Sequence, residues 1–248
     1  MNYKLEVIAF TIESCLLIQK AGAHRIELCD NPADGGTTPS YGFLKKAREL
    51  VSIDLFPMIR PRGGDFLYKD DEFEIMKEDI RYCKELGFDG VVIGLLNADG
   101  TIDKKRAAAL IELAYPLGVT FHRAFDRTRD AFEALETLVE IGCERVLTSG
   151  LTPDVKQGTE MLTQLVSSAD NRITIMPGSG VRSNNIKALA QQTGAVEFHT
   201  SARTSISSKM NYVNKKLNEE LNSIIVDEEE IRKTLVELES IANYEPPF

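Results

Sequence analysis

The sequence predicts an α/β protein built as a single (β/α)8 TIM barrel with an additional C-terminal helix. Eight short β-branched runs recur roughly every 20 to 33 residues, the spacing of strands that alternate with helices. Segments of helical period lie between them, and no proline-rich or low-complexity linker divides the 248 residues. An open, doubly wound sheet would be expected to carry a glycine fingerprint after its first strand, and "FTIES" at that place has none.

The strands are read in "LEVIAF", "RIELC", "LFPMIRP", "DGVVIG", "GVTFHRAF", "RVLTSG", "RITIMPGSG" and "AVEFHTSAR". Ala107, Leu110, Ile111 and Ala114 share one helical face, as do Phe132, Leu135, Leu138 and Val139. Helices end at glycine before the next strand in "QKAGAHRIEL", "KELGFDGVVI" and "VEIGCERVLT", the expected left-handed exit. After the eighth strand, residues 206–248 read as a helical segment with Asp227 as N-cap and Ile231, Leu235 and Leu238 as its packing stripe. That stripe suits the last barrel helix or a surface addition. Residues 1–248 are expected to form one domain.

Composition narrows the function classes. Twenty-nine basic against 38 acidic residues give a net charge of −9, which disfavours nucleic acid and anionic lipid as partners. No apolar run approaches the roughly eighteen residues of a membrane span, and "MNYKLEVIAF" lacks the basic-then-apolar form of a secretory signal, so a cytoplasmic protein is expected. Cys15, Cys29, Cys83 and Cys143 form no CxxC pair and are expected as free thiols.

In such a barrel the chemistry lies at the C-terminal ends of the strands. Polar residues there are Glu6, Glu27 with Cys29, Arg60 with Arg62, His122 with Arg123, Thr148 with Ser149, and the series Glu197, His199, Ser201 and Arg203. The two-residue strand period puts each set on one face, so the sets converge if that face is inward. One reading makes Glu27, His122 and Glu6 catalytic, His122 acting as acid or base with Asp126 or a nearby glutamate orienting its ring. The other makes Glu6, Glu27 and Glu197 partners of Arg60 and Arg123 in a buried ion-pair layer. His24, at the opposite end of its strand, is given no role.

"PGSGVRSNN" and "TSAR" follow strands 7 and 8, where barrels often cradle phosphate, so Gly178, Gly180, Ser201 and Arg203 are candidate anion contacts. Arg60, Arg62, Arg123, Ser149 and His199 complete the candidate anion-binding set, because arginine forks match carboxylate and phosphate. Glycine at a tight turn and Ser40 as a helix cap are the plain structural alternatives.

"AHRIELC", "GGTTPS", "IRPRGGDFLY", "TFHRAFD", "ERVLTSG", "IMPGSGV" and "EFHTSAR", in this order, closely resemble the CutC family of copper homeostasis proteins over roughly residues 4 to 205. The resemblance implies a TIM barrel, a cytoplasmic homo-oligomer, no organic cofactor, and copper handling with Cu(I) on cysteine thiolates near the barrel mouth. Cys29 matches the family's "IELC" cysteine. The members best linked to copper carry a second cysteine where this sequence has Ile8, and Cu(I) prefers two or more sulfur ligands, leaving His122, His199 or Met58 to assist. Two functions therefore stand side by side: copper binding through Cys29, and an isomerase, epimerase or lyase acting on a phosphorylated or carboxylated small molecule.

Overall fold

The computed structural model describes residues 3–219 and 221–242. Strand and helix alternate as β1 (Lys4–Ala9), α1 (Ile12–Ala21), β2 (Arg25–Leu28), α2 (Tyr41–Leu50), β3 (Asp54–Pro57), α3 (Asp70–Glu85), β4 (Gly90–Ile93) and α4 (Lys104–Ala114). The second half repeats the pattern with β5 (Gly118–Phe121), α5 (Ala131–Glu140), β6 (Arg145–Thr148), α6 (Thr159–Ala169), β7 (Thr174–Pro177), α7 (Ile186–Thr193) and β8 (Glu197–Thr200). Among the described residues, no helix is long and apolar enough to cross a membrane.

All eight strands run parallel, in two arcs of order β3-β2-β1-β8 and β4-β5-β6-β7. The arcs adjoin at both seams, β3 against β4 and β7 against β8. At the first, Met58 bridges Val92 and Ile59 N–H donates to Val92 O at 2.8 Å. The result is the (β/α)8 barrel that the alternation predicts.

Local chemistry accounts for the elements. Thr11, Ser40, Asp103, Asp130 and Asp227 cap helices by accepting backbone N–H bonds. Gly22, Gly87 and Gly142 adopt the positive φ expected at helix exits. Parallel strands covered on both faces bury every residue of β2, β4, β6 and β8, the polar residues of β2, β6 and β8 included. Phe132, expected on the buried face of α5, is exposed, because Ala131 and Ala134 make the close contact instead.

The C-terminal segment departs from the helical expectation. Residues after β8 form an antiparallel hairpin of β9 (Arg203–Ile206) and β10 (Ser223–Val226), and only α8 (Glu228–Ala242) is helical. The β-branched run "SIIV" explains the strand. Helix α8 packs against α1 and α7 through Ile231 and Leu238, so it is the eighth barrel helix rather than an addition outside the ring.

Two apolar clusters result. The larger lies between strands and helices; the smaller, Ile8, Cys29, Phe56, Met58 and Val92, lies inside the barrel. Beside it runs a buried ion-pair layer. Arg25 Nη2 is 2.8 Å and Arg145 Nε 2.6 Å from Glu197 Oε2, and Arg25 also binds Glu6. Both guanidinium groups lie over the Phe56 ring, at 5.0 and 5.6 Å, and Phe56 fills the space left by Gly90, where a Cβ would meet the ring at 2.2 Å. The layer foreseen from the sequence exists, but its cations are Arg25 and Arg145 rather than Arg60 and Arg123, because only the former reach inward from strand starts.

Glu197→Ala leaves two buried guanidinium groups sharing one fewer carboxylate, and is expected to cost about 3–5 kcal/mol in urea unfolding. Removing the exposed Glu140 partner of Lys104 is expected to change little. A Glu197→Ala loss as small as the surface control would show that water reaches the layer.

Candidate active site

Directly above the ion-pair layer, the strand register puts Glu6 of β1 opposite Arg25 of β2 and His199 of β8. Glu6 Oε1 lies 2.7 Å from His199 Nδ1, and His199 Nε2 lies 3.9 Å from Glu27 Oε2. All three side chains are buried. Burial alone would raise the Glu6 carboxyl, but Arg25 and His199 outweigh it and hold the group at about 2. Burial pulls His199 down, but Glu27 and Glu6 outweigh it, leaving its pKa above the usual value. Glu27 is pushed up to about 7 by burial, with Glu6 adding to the rise and His199 opposing it. Near neutral pH Glu27 can therefore accept or give a proton, the property an acid–base group needs.

Glu27 and His199 line a cavity of about 510 Å³ at the C-terminal ends of the strands. His122 faces them from β5. The Ala124 N–H donates to its Nδ1 at 3.1 Å, so the neutral ring carries its proton on Nε2. Burial lowers His122 to about 3, and Arg60 and Arg127 push in the same direction. His122 is thus a neutral N–H donor at pH 7, not the titrating acid or base expected from sequence. Gly94 makes room for it, since a Cβ there would come within 2.1 Å of Cε1.

Arg60 approaches from β3. Nη1 donates to Asp34 O and Gly36 O, both at 2.7 Å, and Nη2 to Gly64 O at 3.0 Å, while the guanidinium lies 5.0 Å from the Phe66 ring centre. The same ring lies 4.9 Å from His122. Among the described residues, four buried side-chain polar atoms lack a partner: Glu27 Oε1, Arg60 Nε, His122 Nε2 and Tyr68 OH. The first three belong to residues lining the one cavity.

The rim is basic. Arg123, Arg127 and Arg203 all line the cavity mouth. Arg123 pairs with Asp126 at 2.7 Å and donates to Ser149 Oγ at 2.8 Å, whereas Arg60, Arg127 and Arg203 form no ion pair among the described residues. Arg127 lies over Phe66 and Arg203 over Phe10. Asp126 does not orient His122. Its carboxylate accepts from Thr148 Oγ1 at 2.5 Å and from the N–H groups of Ser149 and Leu151, fastening the loop after β5 to the loop after β6.

Of the residues singled out from sequence, Glu27, Arg60, His122, Arg123, Gly180, His199, Ser201 and Arg203 converge on the cavity. Glu6 supports it from below. Arg62 turns away, because the chain bends after Arg60 and Glu72 and Asp65 take its guanidinium at 2.5 and 2.9 Å. Ser149 is held within the Asp126 network, and Gly178 lies behind the wall, packed against Leu147 and His199. Cys29 is fully buried among Ile8, Phe56, Met58 and Val92. Its thiol donates to Glu27 Oε2 at 3.6 Å, and burial, then Glu27, push it well above the usual thiol pKa. Sequence reasoning passed over Arg25, Arg127 and Phe66. The inward parity of Arg25 with Glu27 was the available signal for the first.

The CutC family model matches residues 3–204. The chain belongs to the CutC family. The CutC family protein of Parabacteroides distasonis is 52% identical over 230 residues, covering 92% of this chain and 94% of that one. A human copper homeostasis protein cutC homolog is 46% identical over 213 residues, 86% of this chain and 78% of that one. A solved Streptococcus agalactiae chain assigned as copper homeostasis protein CutC superposes with TM-score 0.77 at 37% identity, covering 80% of this chain and 98% of that one. Copper in those names directs attention to the sulfur atoms of this CutC barrel. Cys15 and Cys83 lie in α1 and α3, and Cys143 donates to the carbonyls of Val119 and Arg145, leaving Cys29 with only the Met58 thioether in its cluster. One protonated thiol and one thioether do not fit a tight Cu(I) centre. His199, oriented by Glu6, and Glu27 offer harder donors, but Glu6 itself is engaged by Arg25 and His199.

His122 is expected to stay neutral, protonated on Nε2, down to about pH 4, as read from its imidazole ¹⁵N shifts. A transition near its usual 6.5 would refute the assignment. The unfolded chain protonates this histidine near 6.5 and the folded chain only near 3, so stability is lost as pH falls through that window. His122→Asn is expected to flatten this part of the acid limb.

Proposed function

We propose that this CutC-family chain is an acid–base enzyme of the isomerase, epimerase or lyase type acting on a small anionic compound. The observation that carries the reading is the trio of unpartnered buried polar atoms, Glu27 Oε1, Arg60 Nε and His122 Nε2, on residues of one cavity. Leaving a buried donor or acceptor unpaired costs about 1–3 kcal/mol each, and a ligand that pairs all three recovers that cost. Glu27 supplies the proton-transfer group. Among the described residues, Arg60, Arg127 and Arg203 have no carboxylate partner and the Ser179 and Gly180 N–H groups have no acceptor, which favours a phosphate or carboxylate.

Thermal-shift screening of sugar phosphates and dicarboxylates is expected to find stabilisers. Arg203→Ala should weaken their binding roughly tenfold or more while leaving the unliganded melting temperature unchanged, since each charge-assisted bond is worth about 1.5–3 kcal/mol. Glu27→Gln should retain binding and lose turnover. A screen in which no anion stabilises the protein removes this reading.

Copper handling, carried by the names of relatives, is the reading this pocket supports less well. It requires the Cys29 proton to leave a thiol that burial and Glu27 keep protonated. Competition against a Cu(I) chelator separates the two. Wild type and Cys29→Ala are expected to bind equally weakly, whereas stoichiometric tight binding abolished by the substitution would establish a copper site.

A further inference from the structure

We propose that the reaction is an enolisation: Glu27 removes a proton from the carbon next to a substrate carbonyl, whose oxygen is held by Arg60 Nε–H and His122 Nε2–H. This rests on the acid–base reading above and specifies its chemistry. The cavity presents two kinds of unmet demand. Two unpartnered N–H groups call for an oxygen acceptor, and one unpartnered carboxyl oxygen calls for a proton. Arg60 and His122 both lie against the Phe66 ring, 5.0 and 4.9 Å from its centre, whereas Glu27 comes from β2 beside His199. A ligand that answers both demands has an acceptor oxygen on one carbon and an acidic hydrogen on its neighbour.

The electron bookkeeping closes within the protein and its ligand. The Glu27 carboxylate takes the proton; the C–H pair becomes the C=C bond; the carbonyl π pair moves to oxygen as an enolate, stabilised by the two donors. Returned to the same carbon, the proton regenerates the substrate with solvent exchange; delivered instead to the former carbonyl carbon of a hydroxycarbonyl compound, while the neighbouring hydroxyl proton passes to the former carbonyl oxygen, it gives an isomer with no net oxidation or reduction. A neutral imidazole suits this role, because a donor that stays uncharged beside Arg60 polarises the carbonyl without competing as an acid. His199 and Glu6 act as positioning residues: Glu6 fixes Nδ1 of His199, and His199 presents Nε2 towards Glu27. The substrate class is a hydroxy- or oxo-carbonyl compound with a remote phosphate or carboxylate facing Arg127 and Arg203. Ile8, Met58 and Leu147 supply an apolar wall for its carbon chain.

The test uses the full chain in D2O at pH 7 with ribulose 5-phosphate, dihydroxyacetone phosphate and 2-oxoglutarate as probes. Saturation-transfer difference NMR reads binding, and loss of the α-proton signal reads exchange. At least one bound probe is expected to exchange 100-fold or more above the uncatalysed rate. Glu27→Gln is expected to bind that probe and exchange it 100-fold or more slowly, and His122→Asn to slow exchange at least tenfold. A probe that binds at the cavity, displaced by inorganic phosphate, without exchanging would overturn the enolisation and leave the anion-binding enzyme standing. Exchange undiminished in Glu27→Gln would also overturn it. Absence of binding by all three probes would count against both.

Discussion

The rest of the molecule depends on a ladder of buried charges climbing the barrel interior: Arg145, Glu197, Arg25, Glu6, His199 and Glu27. Each charge of this ladder has an opposite neighbour, which is the condition for keeping ions out of water at tolerable cost. The ladder stops at Glu27. Below it, Glu6 faces both Arg25 and His199; at the top, Glu27 has one imidazole 3.9 Å away and a free oxygen in the cavity. That difference in partners drives the two carboxyls apart, Glu6 to about 2 and Glu27 to about 7. Two glutamates of equal burial on adjacent strands thereby take opposite roles, one a permanent anion and the other a group poised to exchange its proton.

The opposite wall reaches complementary electrostatics by another route. Arg60 is buried without a carboxylate and is held by three backbone carbonyls, so its charge is positioned but not cancelled. That charge, together with burial, keeps His122 neutral. Had Asp126 oriented His122, the ring would have been drawn towards protonation; instead Asp126 is consumed by two loop segments and Arg123. The cavity thus sets a carboxyl raised to about 7 on one side against buried, unpartnered N–H groups on the other.

Much of this was legible in the sequence, and the failures share a cause. The eight strands, their order and the helix exits followed from periodicity and glycine placement, which depend on local backbone preference. Glu27, Arg60, His122 and His199 share one cavity because strand parity carries inward residues to one place. Arg62 departs from the pattern because the inward row Phe56, Met58, Arg60 persists only as far as Arg60, and the bend that begins at Pro61 turns the chain aside. Arg25 and Arg145 were passed over; they sit at strand starts, at the end of the barrel opposite the site. Their long side chains nevertheless meet Glu197 and Arg25 reaches Glu6, contacts that only tertiary structure reveals. The β9–β10 hairpin was missed because a charged flank, "DEEEIRK", gave "SIIV" the look of a helix entry.

Ile8 bears on both the copper reading and the proposed acid–base reading. In the inward row of β1 it follows Glu6 by two residues, adjoins Cys29 in the inner apolar cluster, and lines the cavity. A thiol there would have given Cys29 a soft partner; a branched alkyl group instead lowers the local dielectric. In that setting the Cys29 proton is retained, and the cysteine acts as a small apolar filler whose one polar contact is its hydrogen bond to Glu27. The same apolar surface deepens the burial that raises Glu27. An isoleucine at this position disfavours a thiolate metal site and favours the proposed acid–base site, so the two readings of the barrel are physically opposed rather than merely alternative.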